Sequence, residues 1–131
     1  MTAAVTISVP AFRAVDYGAL YSAIASVERV RKSHKRGPFG ERGDAQWTLA
    51  AWVEETDMPF EMAEDPVVCR ELAIQRLRKM AFRLSERRID PTPYLLALAW
   101  HLGLNGAILR GFVSQEGKSY AERVCALYRA N

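Results

Sequence analysis

The chain has 131 residues, half of them apolar and a quarter charged, which suits one folded domain with a real core and excludes both a two-domain protein and a disordered chain. Its net charge of +3 is compatible with an acidic polymer as partner but does not demand one. Cys69 and Cys125 are too few for a disulfide framework, and no Cys/His spacing suggests zinc, so neither a metal nor a cofactor is expected. No apolar run approaches the ~20 residues of a membrane span, and Met1 to Pro10 lacks the basic start and apolar stretch of a secretion signal.

In chain order the pattern is nearly all helical, and the expected class is a single small all-α domain. Residues 1–13 form a lead-in, where Val5, Ile7 and Val9 alternate like a strand without a partner, and residues 14–131 form the domain. From Asp16, a natural N-cap, the residues Tyr17, Leu20, Tyr21, Ile24 and Val27 recur at helical spacing to about Lys32. A glycine-punctuated loop follows, with Gly37, Pro38, Gly40 and Gly43, and then a short apolar helix from Trp47 to Glu55. After a loop through Asp57, Met58 and Pro59, Asp65-Pro66 is a helix start: an N-cap acceptor with proline at the first helical position.

Cys69, Leu72, Ala73, Leu77, Met80, Ala81 and Leu84 mark the inner face of this third helix, while Arg70, Arg76, Arg78, Lys79, Arg83 and Arg87 lie mostly on the other. Pro91-Thr92-Pro93 separates it from the next. Tyr94 to Leu102 is apolar nearly all round, which predicts a buried central helix ended by Gly103. A turn from Asn105 to Arg110 and a polar loop lead to the last helix. Ser119 and Glu122 read as its capping box, and Tyr120, Val124, Leu127 and Tyr128 as its inner face.

One residue breaks the pattern. At 100° per residue, Glu28 falls between Tyr21 and Ile24, at about 20° from Tyr17 and inside the apolar stripe. Desolvation disfavours the charged form, so burial is expected to raise its pKa. A carboxylic acid kept protonated near neutral pH is what a general acid needs to protonate a glycosidic oxygen. The structural alternative is a glutamate paired with Arg29, Arg31 or Arg42.

Four segments, in order, carry a resemblance. Ala23-Ile24-Ala25-Ser26-Val27-Glu28 resembles the "AI..VES" helix of the SLT-type lytic transglycosylases of the lysozyme-like superfamily. Gly40-Glu41-Arg42-Gly43-Asp44-Ala45-Gln46 is similar to the family's "GA.GLMQ" loop, and Trp47 to Trp52 to its "..P.TW" continuation. Ala97-Leu98-Ala99-Trp100-His101-Leu102-Gly103 resembles "LALAAYNAG", and Ser119-Tyr120-Ala121-Glu122-Arg123-Val124 the closing "Y..RV" helix. The chain departs from the family at Arg29, where serine is usual, at Asp44 and Ala45, where an apolar pair is usual, and at His101 and Leu102, which replace an asparagine and a small residue.

The resemblance implies a small lysozyme-like helical domain, with the glycine-rich loop beside the active-site helix. The implied substrate is peptidoglycan, cut between N-acetylmuramic acid and N-acetylglucosamine, and with it a periplasmic or extracellular location. Glu28 would be the acid/base. Gln46 would orient that acid or a sugar acetamido group, and Trp100 or Tyr120 would offer a flat face to a sugar. His101 stands at a family contact position, and Gly43, with Gly37 and Gly40, would let backbone approach a ligand. A single carboxylate suffices if the muramic 6-hydroxyl attacks, giving a 1,6-anhydro product. A hydrolytic route needs a second carboxylate, for which Glu41, Asp44 and Glu54 are the candidates.

Simpler readings stand beside these. His101 on an apolar helix reads as a core histidine, His34 as a solvated loop residue, and Trp47, Trp52 and Trp100 as core. Cys69 and Cys125 read as buried thiols, with a bridge between them left open. The arginine-rich face of the third helix is by default a solvated face, while a nucleic-acid-binding surface is the rival reading. A lysozyme-like glycan-binding or interaction module without turnover is a further alternative.

Overall fold

The computed structural model describes residues 14–31, 39–109 and 114–130. Among these the chain is all-helical: α1 (Tyr17–Arg31), α2 (Leu49–Glu55), a 3-10 helix (Phe60–Glu64), α3 (Pro66–Glu86), α4 (Pro93–Leu102), α5 (Leu104–Ile108) and α6 (Gln115–Ala130). The alternating Val5, Ile7 and Val9, together with His34, Gly37 and Pro38, lie outside the described residues.

Local chemistry sets the helix starts. The Asp16 carboxylate accepts the Ala19 N–H at 3.0 Å. The Asp65 carboxylate accepts from Val67 and Val68, ahead of Pro66, and the Thr92 hydroxyl accepts from Leu95, ahead of Pro93. Such caps satisfy backbone donors that the helix itself leaves unpaired, and each stabilises by about 1 kcal/mol. α4 stops at Gly103, whose φ of 84° is a backbone region that costs glycine little. α3 stops in a Schellman turn: Ile89 N–H donates to the Leu84 carbonyl and Arg88 N–H to the Ser85 carbonyl, both at 2.9 Å. The left-handed residue of that turn is Arg88, with φ 59°.

Four elements differ from the sequence reading, one of them α5, a short helix at Leu104–Ile108 where a turn from Asn105 is expected. α2 begins at Leu49 with Thr48 as its cap, because Trp47 is held in a bridge to Arg42. The 3-10 helix at Phe60–Glu64 fills the stretch between the Pro59 loop and the Asp65 start, where five residues carry no readable period. α6 begins at Gln115, and Ser114 caps it by accepting the Gly117 N–H at 3.1 Å. Ser119 is thus already in the second turn, and the Ser119–Glu122 spacing only imitates a capping box. Leu127 is 40% exposed, so it is not an inward position.

α4 is the central helix. It packs against α6, α5 and α3, while α1 packs against α6 and α3. Leu96, Ala97, Leu98 and Ala99 are buried, as its all-round apolar sequence requires. The core has two parts. One holds Leu20, Ile24 and Val27 of α1 with Leu77, Leu84, Leu96 and Tyr120. The other holds Tyr21 and Ala25 of α1 with Ala45, Trp47, Trp52, Ala63, Cys69 and Ala73. Trp100 packs against both.

Candidate functional site

Glu28 is 5% exposed, and among the described residues it is the charged residue that the core buries whole. Its place follows from helix geometry. Ile24, one turn back, belongs to the first part of the core, whereas Ala25 and Tyr21 belong to the tryptophan part. By helix spacing Glu28 lies on the strip between them, one turn after Ile24 and Ala25. Arg29 is exposed and donates to the Ser26 hydroxyl at 3.2 Å, so its side chain is turned away from the buried side of α1 that Glu28 occupies.

The loop beside α1 is closed by paired backbone bonds, Arg42 N–H to the Trp47 carbonyl and Trp47 N–H to the Arg42 carbonyl, both at 2.9 Å. Inside it, the Gln46 side-chain amide donates to the Gly43 carbonyl at 2.9 Å, and Gln46 takes a φ of 53°. A left-handed conformation costs a non-glycine residue roughly 1–2 kcal/mol, so the surrounding contacts hold it there. Gly43 has φ 80°, and a Cβ built on it would come 1.9 Å from the Ala63 carbonyl oxygen. Close contact with the Ala63 carbonyl of the 3-10 helix is by itself a reason for glycine here. Gly40 has φ 84° and nothing within 4 Å of a built Cβ.

Tryptophans fix this loop to the helices. Trp47 meets Trp52 and Trp100 edge-on, at centroid distances of 5.3 and 5.2 Å. The Trp100 indole N–H donates to the Ala45 carbonyl at 3.3 Å and that of Trp52 to the Met58 carbonyl at 2.8 Å. Trp47 and Trp52 are core residues, each 1% exposed.

Gln46, Trp100 and His101, separated by more than fifty residues, line one cavity of about 220 Å3 together with Trp47, Thr48 and Arg76. Glu28 is not among its lining residues. Nor is Tyr120, which is fully buried and stacked on His101 at 4.4 Å with 18° between the ring planes. The flat face that the sequence reading offered to a sugar through Tyr120 is thus taken by His101. Trp100 reaches the cavity beside Trp47, and His101 is half-buried at its edge.

The carboxylates proposed as a second catalytic group sort by environment. Glu54 is 65% exposed and ion-paired with Arg76 at 2.9 Å. Glu41 accepts the Phe39 N–H at 3.2 Å. Asp44 lies close enough to Tyr21 and Cys69 to raise the pKa of each, after burial, which is the main cause in both. Asp44 is thus near Tyr21, which stands two turns before Glu28 on α1.

Sequence reasoning assigned Arg76 to a solvated face. Its side chain is 20% exposed and pairs with both Glu54 and Glu55, while Lys79 also pairs with Glu55 at 3.0 Å. The signal was present: Arg76 stands three residues after Ala73 and four before Met80, both buried, hence on the flank of the inner stripe. Two of the cations expected to track phosphates are therefore held by acidic partners. Burial works to raise the pKa of Glu55, but hydrogen bonds from Lys79 and Gln75 and the charges of Lys79 and Arg76 outweigh it and hold the carboxyl below its usual range.

Cys69 and Cys125 are both free and buried, so the bridge between them is absent. Among the described residues no group of His, Cys, Asp and Glu could hold a metal ion, and no helix is long and apolar enough to cross a membrane. In comparisons with known proteins, the chain matches no family model, no curated protein and no solved structure.

Proposed function

We propose that this domain cleaves peptidoglycan between N-acetylmuramic acid and N-acetylglucosamine, as a divergent lysozyme-like lytic transglycosylase with Glu28 as its single acid/base. The observation that carries the reading is the burial of Glu28, at 5% exposure, on the strip of α1 between the Ile24 and Ala25 faces. A carboxyl enclosed by the core is the kind of group that such a reaction takes as its proton donor. The protonated Glu28 gives its proton to the glycosidic oxygen as the C1–O bond breaks. The resulting carboxylate then takes the proton of the muramic 6-hydroxyl as that oxygen closes on C1, and the acid is regenerated with a 1,6-anhydro product. One carboxylate serves both steps, in keeping with the engagement of Glu54 by Arg76. Trp100 and His101 would bound the sugar-binding cavity, and Gln46 would order the loop and its rim. The substrate implies a periplasmic or extracellular location.

A second reading is a glycan-binding module without turnover. It draws on the absence of Glu28 from the cavity that Gln46, Trp100 and His101 line. Mass spectrometry of purified peptidoglycan after incubation with the protein separates the two. Anhydro-muropeptides support the transglycosylase. Cosedimentation with the wall and no soluble product supports the binding module.

A further inference from the structure

A second cavity, of about 500 Å3, lies between the end of α3 and helices α4, α5 and α6. It shares no lining residue with the cavity at Trp100. Its floor is apolar and buried, from Leu98 and Ala107, with Leu95 on the wall. Its charged lining residues, Arg88, Lys118 and Asp90, are all exposed and form the rim. Among the described residues neither Arg88 nor Lys118 is held in an ion pair. The volume suits a small molecule, and an apolar floor with a few polar groups is the usual composition of such a site.

Arg88 adds an independent observation. It is the left-handed residue of the Schellman turn that ends α3, with φ 59°, the position where glycine is preferred because a Cβ is penalised there. Stability alone would place glycine at residue 88. An arginine at such a position, exposed and lining the mouth of a cavity, is a local strain of the kind found at binding sites.

We propose that this cavity binds a small amphiphilic monoanion, an aliphatic carboxylate whose chain lies on the Leu98–Ala107 floor and whose carboxylate meets Arg88 and Lys118. Among the described lining residues, two cations opposed by the Asp90 carboxylate leave one net positive charge at the rim, which matches one negative charge on the ligand. The proposal uses no residue of the Glu28 site and stands independently of the reaction assigned there.

Titration calorimetry with decanoate below its micelle concentration, on the full chain and on Arg88→Gly, Arg88→Lys and Lys118→Gln, tests it. Decanoate is expected to saturate one site, with acetate and decyltrimethylammonium failing to do so. Arg88→Gly is expected to raise Tm by about 3–5 °C, since it relieves the turn, and to weaken decanoate binding by about tenfold or more, since a charged hydrogen-bond donor is lost. Arg88→Lys retains most of the affinity, and Lys118→Gln loses affinity without a change in Tm. Equal decanoate affinity in wild type and Arg88→Gly, no saturation by decanoate in wild type, or a Tm of Arg88→Gly below wild type would each overturn the proposal.

Discussion

The Trp100 indole nitrogen donates to the Ala45 carbonyl oxygen at 3.3 Å, joining the central helix to a loop fifty-five residues earlier in the chain. That bond holds Gln46, the next residue, beside the aromatic that lines the same cavity. Trp100→Phe keeps a ring in place but removes the donor. It is expected to lower stability by about 1–2 kcal/mol, from one lost hydrogen bond and a smaller ring. Urea unfolding of the variant against wild type measures this.

Gly43 and Gly40 make a controlled pair. Both have φ above 80° or equal to it, but only Gly43 has protein in the space of its missing side chain. Gly40→Ala is expected to cost about 1 kcal/mol, from backbone strain alone. Gly43→Ala adds a clash with the Ala63 carbonyl and is expected to cost about 3 kcal/mol or more. Urea midpoints of the two variants check the difference.

The ion pairs between α2 and α3 give the fold an acid-side pH dependence. The folded-state pKa of Glu55 lies below its unfolded value of 4.5, so the native state binds fewer protons through that window. Its contribution is present above pH 4.5 and is lost as pH falls through the lower, folded value. Between neutrality and acid, wild type is expected to lose Tm more steeply than Glu55→Gln. Glu54→Gln, at a 65% exposed position, is expected to follow wild type closely, because solvent screens the pair.

Burial raises the thiol pKa of both Cys69 and Cys125. Native protein is therefore expected to react slowly with a disulfide reagent at pH 8, and two thiols per chain are expected at once after unfolding. Immediate reaction of the native protein, or fewer than two thiols under denaturing, non-reducing conditions, would contradict the free, buried assignment.

Much of this was readable from sequence because it depends on local rules. Asp65-Pro66, Thr92-Pro93 and Gly103 each act within four residues, and each lies where the caps are found. The burial of Glu28 followed from its angle on α1. What failed depends on distant partners. The stacking of His101 on Tyr120 and the capture of Arg76 by Glu54 and Glu55 join segments that only the folded chain brings together. Ser119–Glu122 imitated a cap because the motif is short, and Ser114 supplied the same oxygen five residues earlier.

The most direct test of the central claim is digestion of purified peptidoglycan by wild type and Glu28→Gln, each first shown to be folded by its thermal transition, with products identified by mass spectrometry. Wild type is expected to release 1,6-anhydro-muropeptides and Glu28→Gln none. Equal product from both proteins, or none from folded wild type on walls of several types, would contradict it.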